Sequence, residues 1–288
     1  MKIANFAVPG GARLGVVEGD TLIDLTIAAP DLPRKLIGLI HMGPAGYDIA
    51  KRAAASAPAR AKQPLKGVTL LQPLLNPGKI ICLGLNYAAH AAEGGHQKPE
   101  YPSFFLRCAS SLLAHGEAVV RPKVSDKLDF EAELAFYVGK HGRHLTMQNA
   151  LSIVAGYTVF NDVSVRDYQR KTNQWTIGKN FDASGPIGPW FIPAADLPPG
   201  ATGLKIESRL NGEVMQSDNT SNMLFPVAET IVILTECLTL EPGDLVVMGT
   251  PSGVGYARKP PVFMKAGDTI EIEIEKIGVL SNPIIAEV

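Results

Sequence analysis

The clearest indication of the fold is the run Asp129-Phe130-Glu131-Ala132-Glu133-Leu134-Ala135-Phe136-Tyr137-Val138. Apolar and polar side chains alternate along it, and the period of two residues is typical of a β-strand. One face of this predicted strand is apolar and carries Phe130, Ala132, Leu134, Phe136 and Val138. The other face begins with three carboxylates, Asp129, Glu131 and Glu133. The run therefore predicts a strand that packs a core on one side and presents acidic groups on the other.

Further apolar runs on both sides of this strand predict more sheet. Asn211-Gly212 is a strong hairpin signal, and residues 225–238 have the pattern of a helix. Strands outnumber helices, and few strand–helix–strand units occur. The pattern thus predicts a mixed, largely antiparallel α+β domain. The other predicted strands are 79–84, 156–160, 204–216 (as a hairpin), 245–248 and 269–274.

The first 75 residues differ from the remainder. Short strands are predicted in residues 1–26 and Ala-rich helix in residues 31–60, after which prolines and the turn Asn76-Pro77-Gly78 punctuate the chain. We therefore expect two domains, a small N-terminal domain (1–75) and a larger domain (76–288).

Composition limits the classes of function. The chain has 288 residues, 46% of them hydrophobic and 19% charged, which excludes a disordered protein. A net charge of −1 argues against binding nucleic acid through bulk electrostatics. No apolar run approaches the length of a membrane span. Three widely separated cysteines, with no CxxC pair, exclude a thiolate zinc site and predict a reducing, cytoplasmic location.

Glu131 and Glu133 are candidate metal ligands. Their spacing places two carboxylates close together on one strand face, where they repel each other unless solvent or a cation intervenes. A hard divalent cation with oxygen ligands would resolve that repulsion, although a solvated strand face is the alternative. Asp162 ends another apolar strand and would supply a third oxygen, with a helix N-cap as its alternative.

Other candidate groups lie outside these strands. His90 and Glu93 are three residues apart on a predicted helical turn, so the pair can activate a water molecule or simply form a surface pair. Lys179 lies among apolar residues, where burial requires an anionic partner and a surface position is the alternative. The segment Gly249–Gly255 is not a Walker loop, but its backbone N–H groups are suited to an anion.

Taken together, five segments resemble the fumarylacetoacetate hydrolase family, over about residues 78–285. They are 84–93 (GLNYAAHAAE), 130–134 (FEAEL), 156–167 (GYTVFNDVSVRD), 178–182 (GKNFD) and 249–255 (GTPSGVG). The resemblance implies a mixed β-roll with flanking helices, a small N-terminal α/β domain and a homodimer.

The resemblance also implies roles for individual residues. Glu131, Glu133 and Asp162 would hold Mg²⁺ or Mn²⁺. His90 and Glu93 would form the water-activating dyad on a lid over the substrate.

The remaining implied roles concern the substrate. Lys179 would face the substrate's oxygens beside the metal. Arg166 and Gln169 match positions that contact the substrate or its leaving group, and Thr250 matches a threonine that holds the substrate carboxylate. Many relatives have lysine where this chain has Arg107, and the arginine would hold a carboxylate bidentately.

The implied reaction is hydrolytic cleavage of a C–C bond in a 2,4-dioxo acid, with a small oxo acid as the substrate and neither a nucleic acid nor a membrane as partner. Two alternatives stay open. One is decarboxylation of oxaloacetate, or isomerisation or hydration of a related oxo acid, by the same metal and enolate. The other is a non-catalytic protein that binds a divalent cation or an oxo acid.

Overall fold

The computed structural model describes residues 1–93 and 100–288. The first part of the chain is a small antiparallel meander with three helices inserted after its third strand. Its elements are β1 Lys2–Val8, β2 Gly11–Glu18, β3 Thr21–Asp24, α1 Leu25–Ala28, α2 Leu36–Met42, α3 Pro44–Ala55, β4 Lys62–Pro64 and β5 Leu70–Leu71.

The rest of the chain is dominated by strands. Its elements are β6 Ile80–Gly84, α4 Ala88–Glu93, β7 Ser103–Leu106, β8 Leu112–Ala114, β9 Val119–Arg121, β10 Leu128–Asp129, β11 Ala132–Val138, β12 Val154–Asn161, β13 Ser164–Val165, α5 Arg166–Gln169, α6 Thr176–Lys179, β14 Gly185–Pro193, β15 Lys205–Leu210, β16 Glu213–Asn219, α7 Val227–Cys237, β17 Leu245–Val247, β18 Thr269–Ile274 and β19 Gly278–Ala286.

These strands form one large and two smaller sheets. The 12-stranded sheet has the order β4-β3-β2-β1-β14-β12-β11-β17-β6-β7, with β5 beside β1 and β8 beside β14. A 5-stranded sheet has the order β16-β15-β18-β19-β9, and β10 pairs with β13. Most of these pairs are antiparallel. The predicted α+β class is therefore confirmed.

Strand β11 lies near the middle of the large sheet and is buried along its whole length. Leu134 and Phe136 on one face pack into the main core, whereas Ala135 and Tyr137 on the other face pack into a second core. The predicted alternation is present, but the face that carries Glu133 is also interior. The strand can bury both faces because sheet and helices cover it from both sides.

The sequence predicted one continuous strand from Asp129 to Val138, and the structure interrupts it at Phe130 and Glu131. The reason is that side chains from elsewhere in the fold take the place of the backbone hydrogen bonds between strands there. The Glu131 backbone N–H donates to the Asn161 side chain at 3.0 Å, and the Ala132 N–H donates to the Gln216 side chain at 3.0 Å. The interruption turns the Glu131 side chain toward the end of β12.

The helices are short, and α3, the longest of them in the described residues, has 12 residues. The predicted helix over residues 31–60 is two helices that break at Gly43, and the predicted helix over 225–238 is α7. Within residues 1–93 and 100–288, no helix has both the length and the apolar character that a bilayer crossing requires.

The N-terminal segment is continuous with the rest of the large sheet. Strand β1 pairs antiparallel with β14 at Ile3 and Phe191. Apolar residues from both sides of residue 75, such as Leu39 and Phe191, share the second core. The division into domains 1–75 and 76–288 stays a prediction.

Candidate active site

Three buried carboxylates converge where β11 begins and β12 ends. Glu131 immediately precedes β11, Glu133 lies within it, and Asp162 immediately follows β12. The two strands are paired, and the Asp162 N–H donates to the Glu131 carbonyl at 3.0 Å. Ligand oxygens of the three side chains all lie within 4.8 Å of one another. We call these three residues the acidic triad.

Burial decides between the alternatives that the sequence left open for the triad. The exposed fractions are 5% for Glu131, 1% for Glu133 and 0% for Asp162, so these residues do not form a solvated face. Asp162 caps no helix, because α5 begins four residues later with Val165 at its N-cap.

Three cations surround two members of the triad. The Lys179 Nζ lies 2.7 Å from a Glu131 oxygen and 2.6 Å from an Asp162 oxygen. Arg166 contacts Glu131 at 2.7 Å, and Arg107 pairs with Asp162. Lys179 is only 2% exposed, so the surface alternative does not apply to it. Burial lowers the pKa of Lys179, but the two carboxylates outweigh that effect and the pKa is raised, which keeps the ammonium charged.

Glu133 is the member of the triad that no cation neutralises. It accepts the Gly249 N–H at 2.6 Å, and no cation lies within ion-pair distance of it in the described parts of the chain. Burial, and then the charges of Asp162 and Glu131, raise the pKa of Glu133 well above its usual range.

Glu131 differs in this respect. Burial again acts to raise its pKa, but Lys179 and Arg166 outweigh burial, and the pKa of Glu131 is lowered. The triad as a whole therefore lacks positive charge on the Glu133 side. An all-oxygen donor set with this imbalance fits a hard divalent cation.

Two glycines allow the chain to approach itself closely at the triad. A Cβ at Gly178 would overlap the backbone nitrogen of Gln169, so glycine lets α6 pack on α5 and brings Lys179 to the triad. Gly249 has φ +84°, and a Cβ there would lie 2.7 Å from the Cβ of Asn86. Glycine at 249 is what allows its N–H to reach Glu133.

The predicted dyad is present on α4. The His90 Nδ1 lies 3.4 Å from a Glu93 oxygen, and the same carboxylate accepts the Gly253 N–H at 3.0 and 3.1 Å. Glu93 favours a proton on Nδ1, which leaves the His90 Nε2 as a proton acceptor. The implied lid on which His90 and Glu93 would lie stays a prediction, and residues 94–99, which follow Glu93 in sequence, lie outside the described residues.

The segment Gly249–Gly255, which we call the glycine-rich loop, does bind anions, but they are the protein's own carboxylates. Its N–H groups donate from Gly249 to Glu133, from Gly253 to Glu93 and from Gly255 to Asp129. The loop thus holds one triad member and one dyad member in fixed positions relative to each other.

These groups line a cavity of about 520 Å³, a size that suits a small-molecule ligand. Three of the four predicted substrate-binding residues line it, together with one member of the dyad and two members of the triad; Asp162 and Glu93 lie behind the wall. Predicted site residues in the lining are His90, Glu131, Glu133, Arg166, Gln169, Lys179 and Thr250.

Arg166 keeps one donor free beside this cavity. Its Nε donates to Asp129 at 2.7 Å, and its Nη1 contacts Glu131 at 2.7 Å and Gln169 at 3.0 Å. The remaining nitrogen, Nη2, is buried and has no hydrogen-bond partner among the described residues. Buried donors in folded proteins are nearly always paired, so this nitrogen is a candidate for binding a ligand oxygen.

Arg107 lies elsewhere than the resemblance implied. Its side chain is fully buried and is not part of the cavity wall. Besides Asp162, it contacts the Ser184 hydroxyl at 2.8 Å and the Ser111 hydroxyl at 3.3 Å. Arg107 lies behind Asp162 and donates to that carboxylate and to two serines, an arrangement that does not favour the expected bidentate contact to a substrate carboxylate. That role stays a prediction.

The sequence analysis missed two buried amides that support the site. Gln216 donates to the Thr250 hydroxyl at 2.8 Å while it accepts from the Ala132 N–H. Asn86 donates to the Met248 carbonyl at 2.7 Å and so anchors the start of the glycine-rich loop. Asn86 is part of a quoted segment, but neither amide carries a local sequence signal, because each acts across the fold.

The architecture is that of a β-rich α+β protein. Its site is a cluster of buried carboxylates, paired in part with lysine and arginine, beside a cavity of small-molecule size. A family model described as "Fumarylacetoacetate (FAA) hydrolase C-terminal" matches residues 79–285. The chain belongs to the fumarylacetoacetate hydrolase family.

Individual relatives cover nearly the whole chain. It is 39% identical over 291 residues to oxaloacetate tautomerase FAHD2A, mitochondrial, of Bos taurus, covering 99% of this chain and 92% of the relative. The fumarylacetoacetate hydrolase of Exiguobacterium antarcticum is similar in structure, with a TM-score of 0.84, 34% identity and full coverage of both chains. Maleylpyruvate hydrolase from Sphingobium sp. SYK-6, in complex with manganese (II) ion and pyruvate, has a TM-score of 0.80 and 30% identity, again with full coverage.

These three relatives are named as enzymes, one a tautomerase and two hydrolases. The roles of the individual site residues, the homodimer and the cytoplasmic location stay predictions.

Proposed function

We propose that this chain is a divalent-metal-dependent hydrolase that cleaves a C–C bond in a 2,4-dioxo acid, giving a pyruvate-type acid and a carboxylic acid. The observation that carries the proposal is that His90 of the dyad and Glu131 and Glu133 of the triad line one cavity, and that Glu133 has no cationic partner among the described residues. The family membership and the similarity to a maleylpyruvate hydrolase support it.

The triad residues Glu131, Glu133 and Asp162 would hold Mg²⁺ or Mn²⁺, which polarises substrate oxygens and stabilises the negative charge of an enolate when it is bound. The donor set consists of carboxylate oxygens, which both ions accept. Lys179 stays charged beside the triad and adds a second centre of positive charge.

His90 is the proton-transfer group in this scheme. Its Nε2 takes a proton from water while Glu93 stabilises the imidazolium, and the water oxygen bonds to the C4 carbonyl carbon. The C3–C4 bond then breaks, and its electron pair becomes the enolate of the 2-oxo acid. Return of the proton from His90 to C3 completes the pyruvate-type product.

Arg166 and Thr250 would orient the substrate. The free Nη2 of Arg166 is a donor for a substrate oxygen. The Thr250 hydroxyl accepts from Gln216, so its own hydrogen remains available to a substrate carboxylate. Each preorganised donor of this kind stabilises developing charge by several kcal/mol in a closed site, about 2.7–4 kcal/mol in one measured case.

A second candidate is keto–enol tautomerisation of oxaloacetate. It is favoured by 39% identity over 99% of the chain to a protein named for that activity. The reaction moves a proton between C3 and the C2 oxygen, and it needs the same enolate stabilisation but no attacking water. Decarboxylation of oxaloacetate would use the same charge stabilisation.

The assay that separates these reactions uses the holoprotein with Mg²⁺ or Mn²⁺. Hydrolysis consumes an acylpyruvate and releases pyruvate and an acid in equal amounts, whereas tautomerisation removes the enol absorbance of oxaloacetate with no pyruvate formed. We expect hydrolysis, and we expect His90→Gln to lose it while His41→Gln, an exposed histidine on α2, does not. Enol loss with no pyruvate formed and no acylpyruvate cleavage would establish the second candidate, and release of pyruvate and CO2 from oxaloacetate would establish decarboxylation. Tight metal binding with none of these reactions would establish the non-catalytic alternative.

A further inference from the structure

Arg170 is a cation at the cavity wall that has no anionic partner. It follows α5 directly, is exposed and lines the cavity. In the part of the chain that the structure describes, no carboxylate lies within ion-pair distance of it, whereas Lys179 and Arg166 are each paired with two carboxylates. Arg170 is therefore the cavity cation whose charge is left for a ligand.

The position of Arg170 is set by an aromatic ring. The Cζ of Arg170 lies 4.3 Å from the centroid of Tyr256, and the Cζ of Arg166 lies 4.5 Å from the same centroid. Stacking on a tyrosine ring is attractive for a guanidinium and leaves its in-plane N–H donors free for a ligand. Tyr256 lines the cavity as well.

Tyr256 is itself held by a buried group. Its backbone N–H donates to an Asp129 oxygen at 3.0 Å, and the same oxygen accepts the Arg166 Nε at 2.7 Å. Asp129 is fully buried, so the backbone that carries the Tyr256 ring is anchored to the interior of the site. Arg170 is thus oriented before a ligand arrives, which reduces the entropy lost on binding.

The neighbouring Lys171 shows what an exposed cation outside the cavity looks like. It is also exposed, and its Nζ lies 3.4 Å from the ring centroid of Tyr168. It is not in the cavity wall. It provides an internal control with the same charge, the next position in sequence and a similar aromatic contact.

We propose that Arg170, positioned by Tyr256, binds a second carboxylate at the far end of the substrate, so that the chain selects dicarboxylic 2,4-dioxo acids. This rests on the proposed function, in which the triad and Lys179 take the 2-oxo acid end. A guanidinium holds a carboxylate through two parallel N–H···O bonds, and the cavity of about 520 Å³ has room for an acyl chain between the two ends.

The test compares two substrates that differ in one terminal group. One is a 2,4-dioxo acid with an unsaturated four-carbon acyl chain ending in carboxylate, and the other is the same acid ending in methyl. We expect Arg170→Gln to lower the ratio of the two kcat/KM values by about tenfold or more, mainly through KM for the carboxylate-ended substrate. Arg170→Lys should recover part of the ratio, and Lys171→Gln should leave it unchanged.

The role of Tyr256 as a positioning residue has its own comparison. Tyr256→Leu should lower the same ratio, because Arg170 loses its platform, whereas Tyr256→Phe keeps the ring and should keep the ratio. Equal ratios for the Leu and Phe variants would remove Tyr256 from the proposal.

A binding measurement separates this inference from the proposed function. Holoprotein is titrated by calorimetry with 2-oxoheptanedioate and 2-oxoheptanoate, which share the 2-oxo acid end, lack the 4-oxo group and differ only in the group at C7, the position of the far carboxylate in the dioxo acid above. We expect the wild type to prefer 2-oxoheptanedioate and Arg170→Gln to lose that preference, even if no 2,4-dioxo acid is cleaved. A wild type with no preference, or an Arg170→Gln variant that retains it, overturns the inference and leaves the proposed hydrolysis standing.

Discussion

The two chemical groups of the cavity are built in opposite ways. The acidic triad is anchored at the ends of two paired central strands. Its members are buried, and two of them, Glu131 and Asp162, are paired with Lys179, Arg166 and Arg107. The dyad lies on a helix of six residues, α4, at the edge of the described chain. In addition to its contact with His90, the dyad carboxylate is held by the glycine-rich loop.

Under the proposed function, this difference is a division of labour. The groups that would stabilise charge lie where the fold is most constrained, since preorganised charges lose little energy in reorganisation. The group that would move a proton lies on a short helix at the cavity wall. The glycine-rich loop joins the two, because its N–H groups hold Glu133 at one end and Glu93 at the other.

The largest difference between the triad and the dyad is expected from Glu133→Gln. The amide keeps the size of the side chain and can still accept the Gly249 N–H, but it removes the carboxylate that no cation neutralises. We expect binding of Mg²⁺ or Mn²⁺ and metal-dependent turnover to be abolished while the circular dichroism spectrum is unchanged. Wild-type turnover by this variant in chelator-treated buffer containing no added metal would contradict the assignment of the triad.

Glu93→Gln tests the role of the dyad. Glutamine can still accept the Gly253 N–H, so the helix should stay in place while the imidazolium of His90 loses its stabilising charge. We expect kcat to fall by about 10²-fold or more, with metal affinity from calorimetry within about threefold of wild type. Loss of metal binding together with kcat would mean that the two groups are not separable.

Arg107→Lys is a smaller change on the triad side. Lysine keeps the charge beside Asp162 but cannot reach Ser184 and Ser111 at the same time. We expect metal affinity to fall by about 10–100-fold, as is usual when a partner of a metal ligand is altered. Substrate KM measured at saturating metal should change little. A large rise in KM at saturating metal would restore Arg107 as a substrate contact.

The smallest expected effect concerns the pH dependence of the free energy of unfolding in the absence of metal. Because the pKa of Glu133 is raised by folding, the folded state binds its proton more tightly than the unfolded chain does. The free energy of unfolding from this group therefore falls as pH rises from about 4.3 toward the raised pKa, by up to about 1.4 kcal/mol per pH unit. Chemical denaturation in chelator should show this extra decline in wild type relative to Glu133→Gln. Parallel pH profiles would contradict it.

The sequence was informative where local pattern and chemistry coincide. The alternation along residues 129–138 predicted that Glu131 and Glu133 share one strand face. The three-residue spacing of His90 and Glu93 predicted the dyad. Both are short-range features, in which the spacing alone places the side chains together.

What could not be predicted depends on pairing across the fold. Arg107, just after β7, pairs with Asp162, just after β12, although the two residues are 55 positions apart in sequence, and Gln216 reaches Thr250 from the 5-stranded sheet. The interruption of the strand at Glu131 likewise depends on Asn161 and Gln216, which are distant in sequence. The free charge of Arg170 is visible only once its neighbours are in place.

We propose that three carboxylates and one hard cation form the charge-stabilising centre of this cavity. The most direct measurement is an anomalous difference map from crystals grown with Mn²⁺. We predict one peak bonded to an oxygen of each of Glu131, Glu133 and Asp162, and no such peak in crystals of Glu133→Gln. A map with manganese bound elsewhere, or with the triad closed only by Lys179 at saturating Mn²⁺, would contradict the account.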